Sequence, residues 1–315
     1  MKIQHDQIIN EARNRGYDIA DLSGILGPLA VSIANSEKSE LVFEGTPLSL
    51  INLRSLTYFD NKQLTKHAFE ELDIPFPTSL LFKSPEDEAL ATFFSYGKKY
   101  VCKPPDMTEG IGVEMNISSM EELRDYWRRN HELSNIFMLE EQVEGDDLRA
   151  QVIGGRIVAA CTREPAHVFG NGIYDLSALI EQRLKVIKSQ NPMNDLVIDH
   201  TSMQLLHQQK IGLTDIPVKG RKIILKELAN MSQGAHAIDI VETLHPVYQE
   251  WTSKICNYLN VDYFAIDIIS RNFAEDPYEN AIILEINAKP EWLHHTFSER
   301  RQHNIAAMVL DHLFG

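Results

Sequence analysis

The chain is poor in the residues that mark several common classes of protein. It has only 3 cysteines among 315 residues, Cys102, Cys161 and Cys256, and they are widely spaced in apolar surroundings. This spacing favours reduced core thiols over a disulfide framework or a zinc site. Its 12 histidines form no HExxH motif and no paired Cys/His spacing, although His294 and His295 are adjacent.

Long apolar runs and an excess of positive charge are also missing. No apolar run reaches the roughly 20 residues needed to span a bilayer, and residues 1–16 predict a polar amphipathic helix rather than a signal peptide. The formal net charge of −15 argues against a general nucleic-acid-binding surface, because such surfaces attract phosphates through Lys and Arg. We therefore expect no nucleic-acid partner, no membrane partner and a cytoplasmic location.

Turn and cap signals divide the chain into helices and strands of an α/β protein. Residues 1–57 predict a small α/β segment, and the next helix begins at Asp60, which we expect to be its N-cap. A strand at Lys99–Lys103 follows. The polar stretch from Gln190 to Pro217 predicts a loop that serves as a mobile flap.

The stretch Ala281–Pro290, AIILEINAKP, predicts a strand with two polar side chains on one face. Glu285 and Asn287 are two residues apart, so their side chains point the same way. The neighbouring strand Tyr263–Ser270 is interrupted by Asp267, which is placed to supply a third oxygen ligand. The three residues together predict a divalent-cation site, and the alternative is that each is a strand-end residue facing water.

Lysines and glycines occur together where a phosphate-binding site would need them. Lys62 and Lys66 lie four residues apart on one predicted helix face, for which a solvated face is the alternative. Lys103 ends a strand and precedes a loop with Gly110 and Gly112, a pattern that can hold phosphate through backbone N–H groups and an ammonium. Such glycines also serve ordinary turns, and no Walker A motif occurs in the chain.

The segment IFMLEEQVEG, from Ile136, predicts a strand that becomes polar where it ends. From Glu140 onward its backbone can offer donors and acceptors to a heterocycle, and Asp146 or Asp147 is near enough to bond a sugar hydroxyl. An ordinary surface strand end is the alternative. The next strand turns back at a hairpin signal, Gly154–Gly155.

Taken in order, these parts resemble the ATP-grasp carboxylate–amine ligases. The order is lysine helix, Lys-terminated strand, glycine loop, EEQVEG exit, Asp strand and ExN strand. The chain is most similar to the ATP-grasp domain of cyanophycin synthetase and of the bifunctional bacterial glutathione synthetase. The segments that carry this similarity are EGDDLRAQVIGGRIVAACTREPAHVFGNG and LKELANMSQGAHAIDIVETLHP.

The resemblance implies a fold and a set of partners. The fold is mixed α/β (α+β), with two α/β subdomains clasping ATP between antiparallel sheets. The implied divisions are a lead-in segment over residues 1–57, a small subdomain over 58–134 and a C-terminal subdomain over 135–315. The implied cofactors are ATP and Mg²⁺, with Mn²⁺ as an alternative. The implied substrates are amino acids or small peptides, and a homo-oligomer stays open.

The resemblance also implies roles for individual residues. Its ATP-binding positions are Lys62, Lys103, Gly110, Gly112, Glu140, Glu141, Val143 and Asp147. Among these, the lysines contact phosphates, Glu140 holds adenine with the backbone of Glu141 and Val143, and Asp147 holds the ribose. The implied magnesium ligands are Asp267, Glu285 and Asn287.

The implied reaction activates a carboxylate with the γ-phosphoryl group of ATP, and an amine then attacks the acyl phosphate. Arg163 and Lys103 are the implied catalytic cations, although Arg163 is also interpretable as part of a structural ion pair. Arg149 and Asn230 match positions that we place on the substrate side. Two further classes of function stay open, a ligase that adds amino acids to a protein or polymer end and a non-catalytic nucleotide-binding module.

One departure from the resembled pattern concerns substrate choice. Related enzymes continue the ExN strand into a Pro-Gly turn, whereas this chain reads NAKPEWLHH, with Glu291 and Trp292 after the proline. A bulky, acidic turn at this place should reshape or recharge the acceptor pocket. We therefore expect both residues to take part in substrate selection.

Overall fold

The computed structural model describes residues 2–95, 97–105, 107, 111–190, 196–227, 229 and 233–315, with only the backbone of Gln190. The chain divides into two compact units. Unit 1 is built from residues 1–49, 146–243 and 290–315, and unit 2 from residues 50–145 and 244–289. Both units are discontinuous in sequence. The boundaries after residues 57 and 134 stay a prediction of domain organisation.

The described chain contains both helices and strands, in runs of one to four. The helices are α1 (Lys2–Asn14), α2 (Ser23–Leu26), α3 (Leu53–Phe59), α4 (Lys62–Glu71), α5 (Glu88–Phe93), α6 (Met120–Asn130), α7 (Leu176–Gln190), α8 (His200–Gln208), α9 (Val247–Leu259), α10 (Pro277–Asn280), α11 (Leu293–Thr296) and α12 (Ile305–Phe314). The strands are β1 (Asp18–Asp21), β2 (Ala30–Ala34), β3 (Ser39–Phe43), β4 (Thr46–Pro47), β5 (Ser79–Phe82), β6 (Tyr100–Lys103), β7 (Glu114–Ile117), β8 (Phe137–Glu141), β9 (Asp146–Ile153), β10 (Arg156–Glu164), β11 (His167–Phe169), β12 (Lys222–Ile224), β13 (His236–Asp239), β14 (Tyr263–Ser270) and β15 (Ala281–Asn287). Short 3-10 turns lie at Leu48–Leu50 and Val241–Thr243.

Unit 1 contains three sets of antiparallel strands. A four-stranded sheet has the order β1-β2-β3-β4, strand β10 lies between β9 and β13, and β11 pairs with β12. The β9–β10 hairpin turns at Gly154 and Gly155, whose φ angles of 59° and 72° are the left-handed values that glycine adopts most easily. The predicted hairpin is therefore confirmed. Helices α1 and α12 pack against each other in the same unit.

Unit 2 combines a four-stranded antiparallel sheet with a hairpin. The sheet order is β5-β8-β6-β7, and the hairpin is formed by β14 and β15. The buried core around the four-stranded sheet contains Phe82, Leu90, Tyr100, Cys102, Ile117, Leu123, Tyr126, Phe137 and Leu139. Helices α3 and α4 pack against β15, and the Ile283 N–H donates to the carbonyl of Pro75 at 3.0 Å. These contacts join the two sequence segments of unit 2.

Two sequence-based predictions of local structure are wrong. Asp60 is not the N-cap of α4, because it ends α3 in a helical conformation. The cap is Asn61, whose side chain accepts from the N–H groups of Gln63 and Leu64 at 3.0 and 3.1 Å. The stretch from Gln190 to Pro217 is not all loop, because it contains α8.

The helix α8 was hidden by its composition. Asp199 accepts from the Ser202 N–H at 2.9 Å, which caps the helix, and Ser202 and Leu206 are its buried residues. A buried serine four residues from a buried leucine gives little apolar periodicity. Among the described helices, none combines the length and the hydrophobicity that crossing a bilayer requires.

Candidate functional site

The β14–β15 hairpin brings the predicted cation ligands together. Asp267 and Glu285 are directly opposite each other, and Asn287 is opposite Ala265, two pairs further along. The Asn287 Nδ2 donates to Asp267 Oδ2 at 3.1 Å. Because opposite residues of an antiparallel pair share a face, all three side chains lie on the same side of the hairpin.

A bulge sets this arrangement in the hairpin. Between the pairs Asp267–Glu285 and Ile268–Ile283 the register shifts by one residue, so Leu284 is the extra residue of β15. Such bulges re-aim side chains and are common next to functional sites. Within the described residues no group of three or more His, Cys, Asp or Glu side chains is arranged around a metal position. The hairpin instead offers two carboxylates and an amide.

A second cluster in unit 2 is built around the buried Glu140. Its Oε1 accepts from Lys103 Nζ at 2.8 Å, and its Oε2 accepts from Lys66 Nζ at 2.7 Å. Lys66 also donates to the carbonyl of Pro77 at 3.0 Å. Lys66 is 6% exposed and Glu140 is 3% exposed, so the two lysine charges and the carboxylate form a buried network.

Burial and charge oppose each other at these groups. Burial raises the pKa of Glu140, but the attraction of Lys103 and Lys66 outweighs it and leaves the pKa below its usual value. Burial lowers the pKa of Lys66, Glu140 opposes this effect, and Lys103 adds to it. The ionised carboxylate therefore holds two ammonium groups in fixed positions.

Lys62 lies beside the loop predicted to cover the phosphates. Its Nζ donates to the carbonyls of Pro105 and Met107, each at 3.2 Å. Gly112 has a φ of 70°, and a Cβ there would meet Pro104 side-chain atoms at 3.0 Å, so this position of the loop favours glycine. The predicted loop residue Gly110 lies outside the described residues.

The predicted adenine-binding backbone follows directly after Glu140. The Glu141 N–H donates to the carbonyl of Thr78 at 3.0 Å, and its side chain pairs with Lys98 at the surface. Val143 is half-buried. The structure thus places these residues at the end of β8, but the Glu141 N–H is already used within unit 2.

Unit 1 carries a separate charged face on its β9–β10 pair. Asp147 is opposite Arg163, and Arg149 is opposite Cys161, so all four side chains project from the same face. Arg149 is 6% exposed. Burial raises the pKa of Cys161 to about 12, and the nearby arginines lower it less than burial raises it, so this thiol stays protonated at neutral pH.

Asp147 holds the Arg163 guanidinium in a forked geometry. Arg163 Nε and Nη2 donate to Asp147 Oδ1 at 2.9 and 2.6 Å, and Nη2 also donates to Oδ2 at 2.9 Å. Such pairing fixes the plane of the guanidinium. Asp147, the predicted ribose-binding residue, is therefore ion-paired with Arg163, the predicted catalytic arginine. This agrees with the alternative interpretation of Arg163 as part of a structural ion pair.

The turn after β15 places Glu291 and Trp292 differently. Trp292 is fully buried, and its Nε1 donates to Gln7 Oε1 at 3.2 Å. Glu291 is half-buried, and its Oε1 accepts from the Leu293 N–H at 2.9 Å. Trp292 thus packs inside unit 1 instead of facing a surface. The predicted substrate residue Asn230 lies outside the described residues.

Sequence reasoning missed two features of these clusters. Lys66 was paired with Lys62 by spacing, yet its contact with Glu140 joins residues 74 positions apart. Asp239 is opposite Cys161 and bonds His303 at 2.6 Å, a buried pair for which the sequence held no local signal. Only the helix spacing could have drawn attention to Lys66.

Known proteins resemble this chain along most of its length. No model of a known protein family matches it. It is 27% identical to cyanophycin synthetase from Trichormus variabilis over 321 aligned residues, which cover 98% of this chain and 34% of that protein. It is 28% identical to the bifunctional glutathione biosynthesis protein of Clostridium perfringens, over 90% of this chain and 38% of that protein.

Solved structures agree with the sequence similarity. A bifunctional glutathione synthetase from Pasteurella multocida superposes with a TM-score of 0.73 at 18% identity, covering 98% of this chain and 43% of that one. The macrocyclase MdnC from Microcystis aeruginosa, bound with precursor peptide MdnA, gives 0.53 at 13% identity, over 99% and 96%. The chain spans about a third of the length of the curated relatives it matches. The predicted resemblance and fold are confirmed: this chain has the ATP-grasp fold, and it is similar to cyanophycin synthetase and bifunctional glutathione synthetase.

Proposed function

We propose that this chain is an ATP-dependent ligase that joins a carboxylate to an amine through an acyl phosphate and releases ADP and phosphate. The observation that carries the proposal is the placement of Asp267, Glu285 and Asn287 on one face of the β14–β15 hairpin. The similarity to cyanophycin synthetase over 98% of the chain supports it. Amino acids or small peptides are the proposed substrates.

The hairpin residues fit magnesium by their chemistry. Magnesium prefers oxygen ligands and typically takes one or two carboxylates together with substrate phosphates. Asp267 and Glu285 supply the carboxylates. The Asn287 amide nitrogen bonds Asp267, so its oxygen is the atom that can reach a cation. These residues would hold Mg²⁺, or Mn²⁺ in its place. Bound ATP and metal supply the phosphoryl group and part of the charge neutralisation.

The lysines of unit 2 would contribute positive charge at the phosphates. Lys103 is anchored by Glu140, and Lys62 donates to the carbonyls of Pro105 and Met107. A transferred phosphoryl group spreads negative charge over its oxygens, so cations fixed before the reaction stabilise it without further reorganisation. Glu140 gives this fixed position to Lys103, and Lys66 holds Glu140.

On the substrate side, unit 1 would bind through its arginines. Asp147 orients Arg163 by a forked ion pair, which fixes the plane of its guanidinium. We assign Arg163 to the oxygens of the acyl phosphate and Arg149 to a substrate carboxylate. Asp147 is then a positioning residue for Arg163. The three cysteines are free thiols, which is consistent with the cytoplasmic location that we propose.

The test is a phosphate-release assay with pairs of amino acids and dipeptides, followed by mass identification of the product. We expect ADP and phosphate only when an acid and an amine are both present, and we expect Glu285→Gln to abolish their release. The matched control is Glu279→Gln, an exposed carboxylate of α10 in the same unit, which should leave turnover unchanged.

The outcomes separate the classes of function. Steady turnover in Glu285→Gln contradicts the metal assignment. ATP binding without turnover across a broad panel of acids and amines favours a nucleotide-binding module. A mass increase on a protein or polymer, without turnover of free amino acids, favours a ligase that modifies macromolecules.

A further inference from the structure

Glu291 stands beside a face of unit 1 that carries both signs of charge. The face is formed by Asp147 and Arg149 of β9 and by Arg163 of β10. Helix α11, which begins two residues after Glu291, packs against β10 and β13. Arg149 and Arg163 are near enough to act on the Glu291 carboxylate electrostatically. The acidic turn therefore belongs to the same charged region as the arginines.

The backbone around Glu291 is held from both sides by one buried side chain. Gln4 of α1 is fully buried, its Nε2 donates to the Pro290 carbonyl at 3.2 Å, and its Oε1 accepts from the Trp292 N–H at 3.1 Å. The buried Trp292 ring adds a bond to Gln7. Glu291 is thus presented on a fixed turn, a property that binding sites need and surface loops often lack.

The carboxylate itself has an environment suited to a cationic partner. One oxygen accepts from the Leu293 N–H at 2.9 Å, and the other lies 3.6 Å from His294 Nδ1. Burial raises the pKa of Glu291, and the Leu293 N–H and the two arginines lower it less than burial raises it. A carboxylate that is partly removed from water gains more from an arriving cation than a fully exposed one does.

The charge of Arg163 does not require Glu291 for its balance. Arg163 already donates three hydrogen bonds to the Asp147 carboxylate. An acidic side chain at a site that must attract a carboxylate and an acyl phosphate would work against that attraction unless it serves another group. An amine substrate with a further positive charge supplies such a group.

We propose that Glu291 selects the amine substrate by binding a positively charged group that this substrate carries besides its reacting amine, an ammonium or a guanidinium. The inference rests on the proposed ligase function. The arginines bind the acidic partner, and Glu291 binds the basic one. The substrate class is therefore a basic amino acid, a diamine or a peptide with a basic end.

The experiment measures binding of L-lysine and L-norleucine to the full chain by calorimetry. The two amino acids have the same α-amino and α-carboxyl groups and similar apolar chains, but only lysine has a second ammonium. We expect lysine to bind roughly 10- to 100-fold more tightly, the range of one charge-assisted hydrogen bond. Glu291→Gln should remove the difference, and Glu291→Asp should keep part of it.

Two controls accompany the binding measurement. Glu181→Gln removes an exposed carboxylate of α7 in the same unit and should leave the lysine preference unchanged. The thermal unfolding midpoint of each variant shows whether it is folded. Equal binding of lysine and norleucine, no binding of either, or a preference that survives in Glu291→Gln overturns the proposal.

Phosphate release with lysine as the amine separates this inference from the proposed function. Turnover of other amines without a preference for lysine contradicts the role of Glu291 and leaves the ligase standing. A lysine preference in binding, with no phosphate release for any substrate pair, keeps Glu291 as a cation-binding residue and contradicts the ligase.

Discussion

Glu140 is the residue on which two lysines of unit 2 converge. The Lys66–Glu140 pair is almost completely buried, with side chains 7% and 4% exposed. Removing one partner of a buried pair leaves the other charge desolvated, which typically costs about 3–5 kcal/mol. In this cluster Lys103 still contacts the carboxylate, so part of that cost is avoided.

We predict that Lys66→Met lowers the free energy of unfolding by about 2 kcal/mol, measured by urea denaturation. The matched control is Lys98→Met, which breaks a solvent-exposed ion pair with Glu141, the neighbour of Glu140 on β8, and should cost much less because water screens such pairs. The loss in Lys66→Met should shrink when Glu140→Gln is added, because the stranded charge is then gone. Equal losses for Lys66→Met and Lys98→Met would contradict the buried network.

The sign of the pH effect follows from the lowered pKa of Glu140. Because the folded pKa lies below the unfolded value, the stabilisation is present above the unfolded pKa and is lost as pH falls through the folded one. Wild-type stability should therefore decline in acid below about pH 4.5. The decline should be smaller in Glu140→Gln, which has no carboxylate to protonate.

At the scale of elements, α4 depends on a cap that sequence reasoning placed one residue early. Asn61 accepts from two backbone N–H groups at the start of α4, whereas Asp60 ends α3. We predict that Asn61→Ala lowers the free energy of unfolding by about 1 kcal/mol, the usual value of an N-cap. Asp60→Ala is the matched control, and a larger loss for it than for Asn61→Ala would contradict the assignment.

Elements with a clear period were predictable, and those defined by distant contacts were not. The strands that carry Asp267 and Glu285 follow from their apolar runs, and their shared face follows from the period of two. The adjacent residues Asp60 and Asn61 are both good caps, so local preference could not choose between them. The choice depends on where α3 ends, which packing decides.

At the scale of the whole molecule, unit 2 is assembled from two distant stretches of chain. The contacts of α3 and α4 with β15 join residues 50–145 to residues 244–289. A fragment of residues 58–134 lacks β15 and so exposes the apolar faces that pack there. The lysine helix α4 and the strand β15 were each predictable as elements, but their contact was not, because no local pattern encodes a contact across two hundred residues.

We predict that the fragment of residues 58–134 shows no cooperative urea unfolding, because its helices lose β15. Residues 50–145 joined to residues 244–289 by a flexible Gly/Ser linker should unfold cooperatively, since all described unit 2 contacts are then present. Circular dichroism during denaturation measures both. Cooperative unfolding of the short fragment would instead support the domain boundaries after residues 57 and 134.

Gln4 and Pro290, whose carbonyl it bonds, are 286 residues apart in the sequence. A glutamine donates and accepts at once, and both of its bonds at this turn are to backbone, so the turn's shape is tied to the first helix whatever side chains the turn carries. Exchanging residues 290–295 alone between two ligases with this fold would therefore leave out the side chain that holds the turn. To transfer a substrate preference intact, the exchange must include the first turn of α1, and libraries that diversify the turn should keep Gln4 constant.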